Sequence, residues 1–212
     1  MSLKLFDVVP DFTQASTIGE FPFYPWAGRD WVVLFSHPRD FTPVCTTELA
    51  AVARLKPEFD RRGVKVVGLS VDPVASHHAW ANDILLSQGV ELNFPLIADE
   101  DRRVSQLLDL IHPNASDTVT VRTVLVIDPA RRVRLTLTYP ASTGRNLAEL
   151  LRTIDSLKLT DDHKVATPAD WAQGDDVIIL PSVGEGEARR LFGAWQTHTP
   201  YLRTVPQPVA AE

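Results

Sequence analysis

Two continuous apolar runs constrain this chain more than any other feature. Trp31–Ser36 (WVVLFS) and Val64–Val71 (VKVVGLSV) each have the length of a buried strand. Between them, from about Val44 to Arg62, apolar Leu49, Val52, Ala53 and Leu55 recur at helical spacing. Pro57 is expected to kink that helix or end its first half, because proline has no N–H for the helical ladder. A second helical stretch starts at Asp72-Pro73 and runs through Trp80, Ile84 and Leu85 to about Gly89. Pro95–Ala98 reads as a short strand, Asp101–Leu110 as a short helix and His112–Thr120 as a polar loop. Val121–Ile127 and Val133–Tyr139 read as strands around a hairpin turn at Asp128-Pro129-Ala130-Arg131. Leu147, Leu150, Leu151, Ile154 and Leu157 then mark the clearest amphipathic helix. Strands alternating with helices, then a hairpin and a helix, predict an α/β fold: a mixed central sheet flanked by helices.

The texture changes after about Thr160. Prolines recur at 168, 181, 200, 206 and 208, and Val177–Leu180 is the one apolar strand candidate. The expected organisation is a domain over residues 1–160 and a small C-terminal domain or arm over 161–212. That tail shows little core of its own and would need something to pack on, such as a second subunit. Pro10, Pro22 and Pro25 break the first thirty residues into short pieces.

Charge and composition exclude several functions. The net charge is −6, and the basic residues are scattered or in short Arg-Arg pairs, so there is no stripe for nucleic acid. No apolar run approaches the ~18 residues that span a bilayer. The opening MSLKLFDVVPDF has no basic region followed by a long apolar run, so no secretory leader is expected. His77 and His78 are adjacent on a predicted helix and point in different directions, and His112, His163 and His198 lack ligand-spaced partners. Neither a metal nor a cofactor is expected.

There is one cysteine, Cys45, so the chain cannot close an intrachain disulfide or build a Cys-only metal site. A free thiol favours a reducing compartment, most simply the cytoplasm. The absence of Cys-x-x-Cys excludes a thioredoxin-like reductase. A lone cysteine is commonly a small buried hydrophobe, but this one stands where a helix pattern begins. There the dipole and unpaired backbone N–H groups favour a thiolate. Thr42, three residues upstream, has a hydroxyl that could donate to the thiolate or hold an oxygen beside it. Pro38 and Pro43 stiffen the loop. Taken alone, Thr42 reads as part of a helix-capping loop; the whole run reads as a reactive site.

Pro38-x3-Thr42-x2-Cys45 resembles the active-site motif of the peroxiredoxins, thiol peroxidases on a thioredoxin-like fold. The longer run Phe35–Leu49 is similar to the one-cysteine subgroup, as are Tyr139–Asn146 and Val165–Trp171. The resemblance implies that Cys45 is the peroxidatic cysteine, that Thr42 hydrogen-bonds the peroxide and that Pro38 shields the pocket. It implies that Arg122 is the active-site arginine, whereas spacing alone would leave Arg122 on a strand edge at the surface. His37 matches a histidine beside the pocket that would bond an oxidised sulfur. Glu48 and Arg145 match a pair that orients the first arginine. It further implies a homodimer, or a larger ring, with the tail reaching across to roof the partner's pocket. Some one-cysteine members carry a lipase-type Gly-x-Ser-x-Gly motif. Here the stretch reads Gly28-Arg29-Asp30-Trp31-Val32, without the serine, so no phospholipase activity is carried over.

The expected reaction is reduction of hydrogen peroxide or an alkyl hydroperoxide, leaving Cys45 as a sulfenic acid. With no second cysteine in the chain, regeneration requires an external thiol or another reductant. The alternative is a redox-responsive interaction protein that takes one equivalent of peroxide as a signal and does not turn over.

Overall fold

The computed structural model describes residues 3–208. A short hairpin, β1 (Thr13–Ser16) and β2 (Gly19–Pro22), leads into the single turn α1 (Phe23–Ala27). Then come β3 (Trp31–Ser36), α2 (Pro43–Arg61), β4 (Val64–Ser70), α3 (Val74–Gln88), β5 (Leu96–Ala98) and α4 (Arg103–Leu107). The hairpin β6 (Arg122–Ile127) and β7 (Val133–Tyr139) completes a seven-stranded sheet ordered β2-β1-β5-β4-β3-β6-β7. The β3–β4 and β4–β5 pairs are parallel and the others antiparallel, so the sheet is mixed, as the strand–helix alternation predicts.

Every residue of β3 is buried, which explains its unbroken apolar run. Val32 and Leu34 join a core cluster with Phe23, Ala27 and Val104, while Val33 and Phe35, on alternate positions, face the other way. A strand covered on both faces has no polar side to alternate with.

Pro57 does not end α2, contrary to one of the two outcomes expected of it; the helix runs on to Arg61. Proline leaves the carbonyl four residues earlier without its helical donor. That carbonyl, Ala53 O, accepts a hydrogen bond from Asn93 Nδ2 at 3.0 Å, so the missing donor is replaced from outside the helix. α3 ends where expected: Gly89 takes the left-handed conformation (φ 66) and its N–H bonds Leu85 O. In the β6–β7 turn, Asp128 Oδ1 accepts from the N–H groups of Ala130 and Arg132, the local chemistry that makes an Asp-Pro start a turn.

The chain divides into two compact units, up to Leu147 and from Ala148. α5 (Leu147–Asp162) therefore groups with the tail, which also holds β8 (Val165–Ala166), β9 (Val177–Ile179), α6 (Glu185–Phe192), β10 (Gln196–Thr199) and β11 (Leu202–Val205). Contrary to the expectation of little core, this unit buries Leu159, Trp171, Val177, Ile179 and Val205 together. Its four strands form a sheet ordered β10-β11-β9-β8. β10 (QTHT) and β11 (LRTV) escape a periodicity search because they are polar and short, and β11 lends only one apolar side chain, Val205, to that core. Among the described residues, no helix is long and apolar enough to cross a membrane.

Candidate active site

Cys45 occupies the first turn of α2. Thr42 is the N-cap residue and Pro43 starts the helix, where its missing N–H costs nothing. The first turn of any helix leaves N–H groups without intrahelical partners; with Pro43 contributing none, those of Val44 and Cys45 remain beside the sulfur. Cys45 is fully buried.

Arg122 reaches the same sulfur from β6. It is 2% exposed, because β6 lies inside the sheet between β3 and β7; it is not the surface arginine that spacing alone suggests. Its Nη1 donates to Cys45 Sγ at 3.3 Å and to Glu48 Oε2 at 2.6 Å. Its Nε and Nη2 both donate to Ala141 O, at 2.9 and 2.8 Å. The guanidinium plane is thus clamped from two sides.

Glu48 sits one turn after Cys45 on α2 and is 4% exposed. It receives Arg122 on one oxygen and Arg145 on both: backbone N and Nε to Oε1 at 2.8 and 2.9 Å, and Nη2 to Oε2 at 2.8 Å. Arg145 Nη1 donates to Ser36 O at 2.9 Å, and its guanidinium stacks over the Phe35 ring at 5.0 Å. Two cations and one carboxylate leave one positive charge unmatched in a buried site. The sulfur lies against this cluster, with Arg122 Nη1 donating to Sγ.

Thr42 differs from the sequence expectation in one respect. Its hydroxyl hydrogen goes to Arg39 O at 2.9 Å and is therefore not directed at the thiolate. What Thr42 offers an incoming molecule is its oxygen lone pairs. Pro38 is buried.

His37, at the end of β3, is fully buried. Its N–H bonds Leu69 O and its carbonyl accepts from Thr120 Oγ1 at 2.7 Å. Nε2 lies 2.9 Å from Asp40 Oδ1. Asp40 Oδ2 also accepts from Ser76 Oγ and meets His77 Nδ1, each at 2.8 Å. Asp40 and His77 escape sequence reading. Asp40 stands three residues after His37 and could have been suspected; His77 is on another helix and no local pattern points to it.

His37, Asp40 and His77 each place a donor atom within 4.8 Å of the others, a spacing that could hold a cation. The contacts of 2.8 and 2.9 Å are those of hydrogen bonds. Two ligands on a tetrahedral zinc with arms of ~2.0–2.1 Å stand about 3.3 Å apart. The three residues are arranged as a hydrogen-bonded network.

Three buried groups shift in the same direction. Burial lowers the His37 pKa, against the opposing hydrogen bond and charge of Asp40. For Asp40, burial acts upward but the hydrogen bonds from His37 and His77 outweigh it and hold the carboxyl well below its ordinary range. For Glu48, burial again acts upward and is outweighed by the hydrogen bonds and charge of Arg145, then by the charge of Arg122. A group whose pKa is lowered on folding is protonated first in the unfolded chain. Its contribution to stability is complete above the ordinary value and is lost as pH falls. The loss should begin below about 6.5 for His37 and deepen below about 4.5 and 3.8 for the carboxylates. Thermal unfolding followed from pH 7 to pH 4 should show a midpoint that falls continuously; a flat profile would refute these couplings.

The geometry matches what the comparisons with known proteins find. Residues 6–136 match the family model described as the AhpC/TSA family, and residues 156–191 that of the C-terminal domain of 1-Cys peroxiredoxin. The chain is 51% identical over 207 residues to a 1-Cys peroxiredoxin of Dictyostelium discoideum, covering 97% of this chain and 86% of that protein. It is 46% identical over 220 residues to human peroxiredoxin-6, covering 97% and 98%. Among solved structures, a mutant of the peroxiredoxin 6 of Arenicola marina superposes with a TM-score of 0.94 at 45% identity, over 99% of this chain and 100% of that one. The yeast mitochondrial 1-Cys peroxiredoxin superposes with 0.91 at 47% identity, over 96% and 99%. A buried lone cysteine at a helix start, an arginine bonded to its sulfur and a full-length match of sequence and fold agree: the chain belongs to the peroxiredoxins and, within them, to the one-cysteine thiol peroxidases.

Proposed function

We propose that this thiol peroxidase reduces hydrogen peroxide and alkyl hydroperoxides by attack of the Cys45 thiolate on the terminal peroxide oxygen. The S–O bond forms as the O–O bond breaks, and the leaving alkoxide takes a proton to become ROH. Cys45 is left as a sulfenic acid. The observation that carries this reading is the Arg122 Nη1 contact with Sγ at 3.3 Å, inside a cluster with one unmatched positive charge. Each guanidinium Nη carries two hydrogens. Nη1 spends both on Sγ and Glu48, while Nη2 gives one to Ala141 and keeps one for a peroxide oxygen. Thr42 Oγ1, its own hydrogen committed to Arg39, accepts from the peroxide O–H. Val44 and Cys45 N–H groups donate to oxygen at the helix start. Pro38 limits water, and His37 stands beside the oxidised sulfur.

Return to the thiol consumes two external thiols, which leave as a disulfide with one water. The solved yeast mitochondrial relative is described by a thiol resolving mechanism via glutathione and thioredoxin systems, and we extend a reductant of that kind to this chain. Intact mass after brief exposure to dilute peroxide should show one added oxygen on Cys45, and a thiol reductant should sustain many turnovers. Stalling after one equivalent with every reductant tried would favour the peroxide-sensor reading instead.

We further place the chain in a reducing compartment, the cytoplasm, because its catalytic group is a single unpaired thiol. We also take the working form to be a homodimer. β7 ends the sheet, and an edge strand presents unpaired backbone groups that a second copy could cover. Sedimentation at micromolar concentration would reveal a monomer if this is wrong.

A further inference from the structure

Asp40 is the most heavily used side chain in the loop that carries Thr42 to Cys45. Its Oδ1 faces His37 and its Oδ2 faces Ser76 and His77, while its own N–H donates to Asp72 Oδ2 at 2.9 Å. The next residue, Phe41, adopts a left-handed backbone (φ 54) that bulky side chains avoid. Conformations of this kind persist only where the surroundings over-determine them.

Hydrogen counting then fixes the protons. An ionised carboxylate only accepts, so the nitrogens that meet it, His37 Nε2 and His77 Nδ1, must each carry hydrogen. His77 Nε2 meets a second acceptor, Ile97 O, at 3.2 Å. Both nitrogens of His77 thus face oxygen acceptors, which pins its ring against Asp40. His37 is different. Its Nδ1 is buried and has no partner among the described residues. Burial keeps this ring neutral. With hydrogen on Nε2, its Nδ1 holds a lone pair: a buried acceptor in need of a donor.

We propose that Asp40 and His77 are positioning residues of the peroxidase reaction, holding His37 in the Nε2–H tautomer so that Nδ1 accepts a hydrogen bond from an O–H group at the Cys45 site. The inference rests on the proposed function, which sets His37 beside the reacting sulfur. The O–H donor is either the second hydroxyl of bound hydrogen peroxide, the first being taken by Thr42, or the sulfenic acid that replaces it. Neither Asp40 nor His77 touches the reacting atoms; both act through His37. A protonated Nδ1 would turn this acceptor into a second donor and repel the same hydroxyl.

The test combines a spectroscopic signature with a double-mutant cycle. Imidazole ¹⁵N spectra of the reduced wild type at neutral pH should show His37 as a single Nε2–H tautomer. In Asp40→Asn, which keeps the shape of the side chain but lets it donate as well as accept, the tautomers should mix. The second-order rate constant for peroxide should fall by about tenfold if the peroxide is the donor. If the sulfenic hydroxyl is the donor, the first step should hold and overoxidation to sulfinic acid should change by a similar factor. In either case D40N added to His37→Gln should cost little further, because neighbours acting through one group are not additive. A merely structural Asp40 would give costs that add. His37 found as the Nδ1–H form or doubly protonated in the wild type overturns the proposal, as does additivity, or a folded D40N within twofold of wild type in both steps. Should D40N fail to fold, His77→Gln is expected to mix the tautomers with a smaller loss of rate, and an unchanged spectrum overturns the idea. An active wild type with the wrong tautomer removes only the positioning role; a wild type that takes up no oxygen on Cys45 removes the peroxidase reading with it.

Discussion

Replacing Arg122 with alanine is expected to lower the second-order rate constant for peroxide by at least about a hundredfold, the scale of losing one pre-aimed donor from a transition-state site. Thiolate formation cannot account for so large a loss. Taking a thiol from a pKa of ~8.5 to ~6 raises the thiolate fraction at neutral pH about thirtyfold. Nucleophilicity falls over the same interval by roughly tenfold, given a Brønsted slope of about 0.4–0.5. The net gain is only a few-fold, so most of the acceleration must arise as charge builds on the departing oxygen.

Arg122 is built for that task. Its plane is held by Ala141 O on one edge and Glu48 on the other, so its hydrogens are already aimed before substrate arrives. The measurement is stopped-flow kinetics together with the Cys45 thiolate fraction in the same variant. A rate that drops only in step with thiolate content would end the transition-state role. Arg122→Lys keeps the charge but not the planar fork; it is expected to recover only part of the loss.

Glu48→Ala should be the most destabilising change in the site. It strips the shared carboxylate from two guanidiniums whose side chains are each 3% exposed. Removing one partner of a buried ion pair typically costs about 3–5 kcal/mol, because a charge is left without compensation in a poorly solvated place. Here two cations lose the same anion, and Arg145 also loses the acceptor of its backbone N–H. Urea unfolding at neutral pH measures the cost. Glu48→Gln retains one acceptor oxygen and should lose less. A Glu48→Ala loss below about 1 kcal/mol, the range of exposed pairs, would mean that Glu48 is not the counter-ion holding the two arginines in place.

The amino-acid sequence by itself determined the main element types from residue 31 to about residue 160 and the reactive thiol, while β1, β2 and α1 before them went unread. Apolar spacing reports locally which side of a segment is buried, so β3, β4, β6, β7 and α5 could be read directly. The Pro38–Thr42–Cys45 spacing is likewise local, since one loop and one helix turn carry it. The solitude of Cys45 is a matter of counting, and it already implied a borrowed reductant.

Tertiary structure decided what surrounds the sulfur. Arg122 is 77 positions from Cys45 and Arg145 is 97 from Glu48, and only the order of strands, with β6 beside β3, brings them to α2. Without the family resemblance, nothing in their neighbourhoods separates them from surface arginines. The direction of the Thr42 hydroxyl, the Ala141 clamp and the Asp40–His77 pair are also absent from any local pattern. The polar strands of the tail escaped for a related reason. Periodicity records burial of apolar side chains, whereas β10 and β11 are defined by backbone pairing to each other and to β9. A sequence records burial position by position; a hydrogen bond needs two partners, and the fold alone chooses the second.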